Sequence, residues 1–240
     1  MDSDLLDTHW QARTELLIGC EGVRRLARAS VIVVGLGGVG SHCAEALARA
    51  GIGSLTLVDG DVITPSNINR QSIALPRTVG MAKADAMAIR VREINPDCNA
   101  SSVIQVISAE NAAGLLSIGP DYVADAIDSI DAKLGLIEAC MRASIPIVSS
   151  MGAGNKLDPT RFRVADISQT HTCPMAKAVR LELRSRGIAR GLSVVFSDEP
   201  PVARHPGTLG SISTVPPAAG LAMAGLILRE LSGICVPHTN

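Results

Sequence analysis

Val31-Ile32-Val33-Val34-Gly35-Leu36-Gly37-Gly38-Val39-Gly40-Ser41 decides the reading of this chain. Four β-branched residues predict a buried strand, which breaks into a glycine-rich turn. A helical stripe of Val39, Cys43, Ala46, Leu47 and Ala50 follows, and Gly51 and Gly53 stop it. Strand, glycine turn and helix start together make an anion site. The glycines allow a tight turn and close approach of a ligand to the backbone, and the helix dipole favours negative charge there. The next strand, Ser54-Leu55-Thr56-Leu57-Val58, ends at Asp59, at the usual distance for a ribose-hydroxyl acceptor. These residues predict a nucleotide site without saying which nucleotide, and a dinucleotide dehydrogenase is the default to be kept or rejected.

Composition narrows the class. A chain of 240 residues with 47% apolar residues fits an α/β protein whose parallel sheet is buried on both faces. One Trp, one Tyr and two Phe leave little material for base-stacking platforms, and a net charge of −1 carries no global nucleic-acid signal. None of the six cysteines (Cys20, Cys43, Cys98, Cys140, Cys173, Cys235) forms a C-x-x-C pair, so a structural zinc site is not expected and reduced thiols in the cytoplasm are. The acidic start Met1-Asp2-Ser3-Asp4 does not read as a signal peptide, and no apolar run is long enough to span a membrane.

Outward from the turn, residues 10–29 read as a helical preface carrying Arg13, which by itself could be a solvated charge. Between Asp59 and Gln71 lies a long loop with a dense polar set, Asp61, Ser66, Asn67, Asn69, Arg70 and Gln71, able to bind a ligand or merely to build turns. Lys83 falls in the first turn of a helix reaching about Ile94. A cation is disfavoured there unless an anion lies nearby or the side chain points to water. A strand is expected over 101–107, a short helix over 109–117, and a fourth strand over Asp121–Asp128 ending in acid. Asp128 is either a ligand-binding residue or the N-cap of a helix from Ile130 to Met141. Gly35, Asp59 and Asp128 then all sit at carboxyl ends of strands, where open parallel sheets bind ligands.

A fifth strand is predicted over Pro146–Ser150, a sixth, parallel or antiparallel, over Arg161–Asp166, another over 193–197, and an apolar helix over Pro216–Leu231. Between Arg161 and Arg190 the basic residues Arg161, Arg163, Lys177, Arg180, Arg184, Arg186 and Arg190 outnumber Asp166 and Glu182. Arg180 and Arg184 are one turn apart, so this is either a polyanion patch or a solvated face. Cys173-Pro174 starts a helix, where a thiol can be reactive or simply an inert cap-position residue. Residues 198–215, rich in Pro, Gly and Ser, read as a loop able to contact a partner or substrate.

The turn, Asp59, Ser66-Asn67-Ile68-Asn69-Arg70-Gln71, Lys83 and Asp125-Ala126-Ile127-Asp128-Ser129 together resemble the adenylating domain of the ubiquitin-activating and molybdopterin- or thiamine-biosynthesis adenylyltransferase superfamily. Within it, Arg13-Thr14-Glu15-Leu16-Leu17-Ile18-Gly19, Ala126–Lys133 and Ser149–Arg161 are similar to the tRNA threonylcarbamoyladenosine dehydratase subfamily. The resemblance implies a Rossmann-like, doubly wound, mostly parallel sheet with an antiparallel C-terminal extension. It implies one adenylating domain over 1–240, with a preface to residue 29, a nucleotide-binding core over 30–155 and a substrate and dimer part over 156–240. It also implies ATP and Mg²⁺ as cofactors, a homodimer, and tRNA carrying threonylcarbamoyladenosine as substrate, and it leaves room for a sulfurtransferase-type protein partner.

Roles follow from the same resemblance. Gly35, Gly37, Gly38, Gly40, Asp59, Asp61, Asn67, Asn69, Arg70, Gln71, Lys83, Asp128 and Ser129 would bind the nucleotide, with Asn67, Asn69 and Arg70 on its phosphates. Arg70, Lys83 and Asp128 would act in catalysis, Asp128 as the metal ligand, and Arg13 would cross the dimer interface. The basic stretch would meet the tRNA backbone. The implied chemistry is attack of a carboxylate on the α-phosphate of ATP, followed by ring closure by a threonylcarbamoyl nitrogen with loss of AMP. The same adenylation could instead activate a ubiquitin-like or sulfur-carrier C-terminus, with Cys173 as the candidate thiol, although the paired zinc cysteines usual in molybdopterin-type enzymes are missing. A dehydrogenase does not account for Arg70, Lys83 and Asp128, and a non-catalytic nucleotide sensor or tRNA-binding scaffold remains as the non-enzymatic reading.

Overall fold

The computed structural model describes residues 9–202 and 209–234. Met1–Asp4, Cys235 and the middle of the segment from Asp198 to Ser211 lie outside the described residues. Within them one seven-stranded sheet runs β3 (Asn99–Val103), β2 (Ser54–Val58), β1 (Ser30–Val34), β4 (Tyr122–Asp125), β5 (Ile147–Ser150), β7 (Ser193–Ser197) and β6 (Phe162–Asp166). All neighbours are parallel except β6, which pairs antiparallel with β7 at the edge. The doubly wound sheet with an antiparallel extension is therefore observed.

Alternation along β1 explains the two layers. Val31 and Val33 pack with Leu26 of α1 (Ala12–Arg28), Cys43 and Leu47 of α2 (Gly40–Arg49), Met87 and Val91 of α3 (Lys83–Ile94), and Met223 and Ile227 of α7 (Val215–Ser232). Ile32 and Val34 face the other way, toward Ala112 of α4 (Ala112–Leu115), Leu134 and Ile137 of α5 (Ile130–Ala143), and Val179 and Leu183 of α6 (Pro174–Ser185). A strand buried on both faces needs this continuous apolar run. α7 is largely buried against α1 and α2, and Gly220 lets it come close, since a side chain there would overlap the Val39 carbonyl oxygen.

Three expectations are corrected. The helical preface is broken at Gly19, whose φ of 70° and ψ of 164° are not helical. The strand expected over 101–107 ends at Val103, because β2 ends opposite it at Val58 and turns away, leaving no ladder partner. The fourth strand ends at Asp125, its last pair with Val34 before β1 enters the glycine turn, so Asp128 lies three residues beyond the sheet.

Candidate functional site

β1, β2, β4 and β5 open at their carboxyl ends into one cleft of about 500 Å³, within the range of small-ligand sites. Its floor is the glycine turn. Gly35 has φ 84°, and a Cβ there would lie 2.7 Å from the Ala126 carbonyl oxygen. At Gly40 a Cβ would overlap the Gly35 carbonyl oxygen, so the turn closes only with glycine at both ends. Over this floor lies the Arg70 side chain, whose Cγ is within 3.2 Å of where a Gly38 side chain would begin.

Asp59 is set by the turn it faces. Its Oδ2 accepts the Leu36 N–H at 2.7 Å and its Oδ1 accepts the Asp61 N–H at 2.8 Å. Lys83, the first residue of α3, has the anion its position requires: Nζ is 2.6 Å from Asp61 Oδ2 and 3.9 Å from Asp59 Oδ1, with the lysine side chain only 9% exposed. The buried ammonium is thus held at the cleft by two carboxylates, the closer of them on the exposed Asp61 side chain.

Gly35, Gly37, Gly38, Asp59, Asp61, Asn67, Arg70, Gln71, Lys83, Asp128 and Ser129 all line the cleft. Gly40 shapes its floor from beneath. Two of the polar loop residues also make contacts within the loop. Asn67 uses its side-chain oxygen to accept the Thr64 N–H, closing the short 3-10 turn Pro65–Asn67. Asn69 does not line the cleft; its amide bridges Arg70 Nη1 at 2.8 Å and the Ser211 carbonyl oxygen at 3.2 Å, so it supports Arg70. The loop is tied to the start of α2, where Ser41 Oγ accepts the Ser72 N–H and the His42 ring contacts the Arg70 carbonyl oxygen.

Asp128 is exposed at the cleft, and Ser129, not Asp128, holds the N-cap position of α5. The carboxylate is thus left for a ligand. Among the described residues no three metal-ligating side chains cluster. A lone carboxylate suits Mg²⁺, which keeps water ligands and takes the rest from substrate phosphates. Arg13 is exposed on α1 and does not line the cleft within one chain.

Beneath the cleft lies a buried polar cluster that the sequence reading did not single out. Asp125 Oδ2 accepts from Lys133 Nζ at 2.8 Å and from Ser149 Oγ at 2.6 Å, while Oδ1 accepts the Ile127 N–H at 3.0 Å. Lys133 and Asp125 are fully buried. The cluster fixes the start of the 126–129 loop that carries Asp128. The far wall is formed by Met151–Gly154, Met175 and Leu209–Ser211, the last of these in the 198–215 loop expected to contact a partner or substrate. Its other legible signal was Gly152-Ala153-Gly154 at a strand end. Among the described residues, Gln71 Oε1 and Ser211 Oγ are buried without a hydrogen-bond partner, and both belong to residues facing the cleft.

The profile of the ThiF family matches residues 11–240. The chain belongs to the ThiF family. A ThiF relative, the tRNA threonylcarbamoyladenosine dehydratase of Bacillus subtilis, is 44% identical over 93% of this chain and 94% of that protein. Crystal structures of Escherichia coli tRNA N6-threonylcarbamoyladenosine dehydratase superpose over 95% of this chain and 97% of that one, with TM-scores of 0.88 for the AMP complex and 0.87 for the ATP complex, at 38% and 39% identity. The match to these relatives runs through the sheet and on to α7.

The basic stretch is reorganised by the fold. Arg161 and Arg163 both bind Asp198, at 2.6 and 2.7 Å, and those hydrogen bonds hold its carboxyl below the usual carboxylate range. Arg186 pairs with Glu138, and Arg180 donates to the Thr170 carbonyl oxygen. The expected stripe of Arg180 and Arg184 is therefore not a free pair; among the described residues Lys177 and Arg184 have no carboxylate within salt-bridge reach. Cys173 is buried beside Gly152 at the N-cap of α6.

Proposed function

We propose that this chain is an ATP-dependent adenylating enzyme that dehydrates N6-threonylcarbamoyladenosine in tRNA to its cyclic form. The observation that carries this reading is the convergence of Arg70, Lys83 and Asp128 on one glycine-turn cleft, in a chain similar from end to end to dehydratases of that name. A carboxylate oxygen leaves at neutral pH only after activation. Its attack on the α-phosphate of ATP forms an acyl-adenylate and releases pyrophosphate; a threonylcarbamoyl nitrogen then closes the ring and expels AMP. The protein's share is positioning and charge neutralisation.

The roles follow the geometry. The Gly35–Gly40 turn receives the nucleotide through its backbone, and Asp59, already oriented by the Leu36 N–H, accepts from the ribose hydroxyls. Lys83 exchanges Asp61 for the α-phosphate side, where negative charge grows, and Arg70 neutralises the phosphates from above the turn. Asp128 would hold Mg²⁺, which supplies charge neutralisation on the phosphate oxygens when bound. Ser129 and Gln71 complete the polar lining. We read residues 1–240 as one adenylating domain acting in the cytoplasm as a homodimer, with Arg13 reaching the partner's cleft.

The deciding experiment incubates the protein with ATP, Mg²⁺ and tRNA bearing threonylcarbamoyladenosine, and follows digested nucleosides by mass spectrometry. The expected product is lighter than its precursor by one water, with one AMP released per event. ATP-dependent AMP release stimulated by a carrier protein ending in Gly-Gly, with the tRNA unchanged, would replace this reading by carrier activation.

A further inference from the structure

Leu209-Gly210-Ser211 forms part of the cleft wall although little in its own packing holds it there. Leu209 remains 75% exposed, resting against Gly154. An apolar side chain left in water is not held by the hydrophobic effect, so the polar contacts on either side must do it. They come from two asparagines on opposite rims. On the phosphate-loop rim, Asn69 Nδ2 donates to the Ser211 carbonyl oxygen at 3.2 Å while its Oδ1 accepts from Arg70 Nη1 at 2.8 Å. On the β5 rim, Asn155 N–H donates to the Gly210 carbonyl oxygen at 2.8 Å, and Gly210 N–H donates back to Asn155 Oδ1 at 2.6 Å. The Asn155 carbonyl oxygen also accepts the Val202 N–H at 2.7 Å, gripping the near end of the same connection.

Asn155 makes this double bond in the left-handed region, at φ 57°, a conformation asparagine tolerates better than most side chains. Asn69 is suited to its place for a different reason: its primary amide offers an acceptor to the guanidinium and, from a separate atom, a donor to the carbonyl at once.

We propose that Asn69 and Asn155 are a pair of positioning residues that stretch Leu209–Ser211 across the cleft as the acceptor-side wall, and that Asn69 sets this wall and the Arg70 guanidinium as one unit. The inference rests on the adenylating reading of the cleft. The Met151–Gly154, Met175 and Leu209 surface that results carries no charged side chain. It suits the uncharged base of the modified nucleotide and leaves that substrate's carboxylate to the cations beyond. Asn155 acts on the acceptor alone; Asn69 acts on acceptor and nucleotide together.

Four variants test it: Asn155→Gly, which keeps the backbone conformation and removes the acceptor; Asn155→Asp, which keeps both; Asn69→Ala; and the double variant Asn69→Ala/Asn155→Gly. Steady-state turnover is measured against ATP and against threonylcarbamoyladenosine-bearing tRNA, with amide hydrogen exchange at Gly210. For Asn155→Gly, kcat/KM for tRNA falls about tenfold or more while KM for ATP stays within about twofold, and Asn155→Asp recovers most of the loss. Asn69→Ala raises KM for ATP as well, and the double variant is no worse toward tRNA than the worse single one, because both hold one segment. Gly210 exchange accelerates in Asn155→Gly and not in Asn155→Asp. The proposal is overturned if Asn155→Gly leaves kcat/KM for tRNA unchanged, if Asn155→Asp is as impaired as Asn155→Gly, if the two losses multiply, or if Gly210 exchange does not respond. A parent enzyme that leaves the tRNA unchanged would instead overturn the assigned reaction, and the exchange rates would still decide whether the asparagines hold the segment.

Discussion

Replacing Lys133 by methionine isolates the buried cluster under the cleft. The substitution keeps side-chain length and removes the ammonium that lies 2.8 Å from Asp125 Oδ2. Removing one partner of a buried ion pair costs about 3–5 kcal/mol, because the other charge is left uncompensated. Asp125 would still accept from Ser149 Oγ and the Ile127 N–H, which places the expected loss at the lower end, about 3 kcal/mol. For a chain of this size that lowers Tm by about 6–12 °C. The chain should remain folded, since domains hold about 5–15 kcal/mol. Urea unfolding followed by far-ultraviolet circular dichroism measures the loss. Because Asp125 also holds the start of the 126–129 loop, KM for ATP should rise in the folded variant. Adding Asp125→Asn removes the orphaned charge and should return about 2 kcal/mol, a coupling that only directly interacting residues show. A loss under about 1 kcal/mol for the single variant, or simple addition of the two losses, would refute the buried pair as the anchor of this loop.

Other substitutions probe the cleft and the sheet edge. Gly40→Ala sets a methyl group against the Gly35 carbonyl oxygen, a backbone clash no rotamer relieves; about 1–3 kcal/mol of stability and most ATP affinity by calorimetry should go, and unchanged affinity would mean the turn is not closed as described. Asp128→Asn should lower kcat/KM at least about 100-fold and blunt the response to Mg²⁺. Because Asp128 is exposed, that variant should keep its stability within about 0.5 kcal/mol, and full activity would exclude the metal role. Asp198→Asn should destabilise the edge at pH 7. The Arg161 and Arg163 hydrogen bonds depress the Asp198 carboxyl, so the gap between parent and variant is present above the ordinary aspartate range of about 3.9 and closes as pH falls through the depressed value. A gap in thermal stability that persisted at pH 2 would exclude the charge pairing as its source. Cys173→Ala should keep turnover within a few-fold, since the thiol is buried and ring closure is intramolecular; complete loss would install a thioester step.

Much of the fold was legible because its signals are local. The β-branched run Val31–Val34, the turn, the helix starting with Lys83 and the strand at Phe162–Asp166 each declare themselves within a few residues. The two strand errors share one cause. Ile104, Val106 and Ile107 are as strand-like as their predecessors, but β2 has ended at Val58 and there is no ladder left to join. Likewise Ala126–Asp128 extends an apolar run, but β1 has already entered the glycine turn. Strand length here is set by the neighbour, which no local pattern contains.

The candidate site divides along the same line. Asp59, Arg70, Lys83 and Asp128 were legible because each is an ionisable or polar residue at a place where bare propensity disfavours it or a strand ends. The 198–215 loop was read as able to contact a substrate, but that Leu209–Ser211 is the part lining the cleft was not, because its place depends on hydrogen bonds to Asn155 and Asn69, 55 and 142 residues away. The basic stretch was legible only as a count. Counting charge from Arg161 to Arg190 is correct, yet Asp198 and Glu138 lie outside the counted window and claim Arg161, Arg163 and Arg186. Some charge that looks free in sequence is paired within the fold, so a polyanion surface, if this stretch forms one, would be drawn from cations such as Lys177 and Arg184, which have no salt-bridge partner among the described residues. A substrate surface is therefore a property of what folding leaves over, and reading it requires the pairings first.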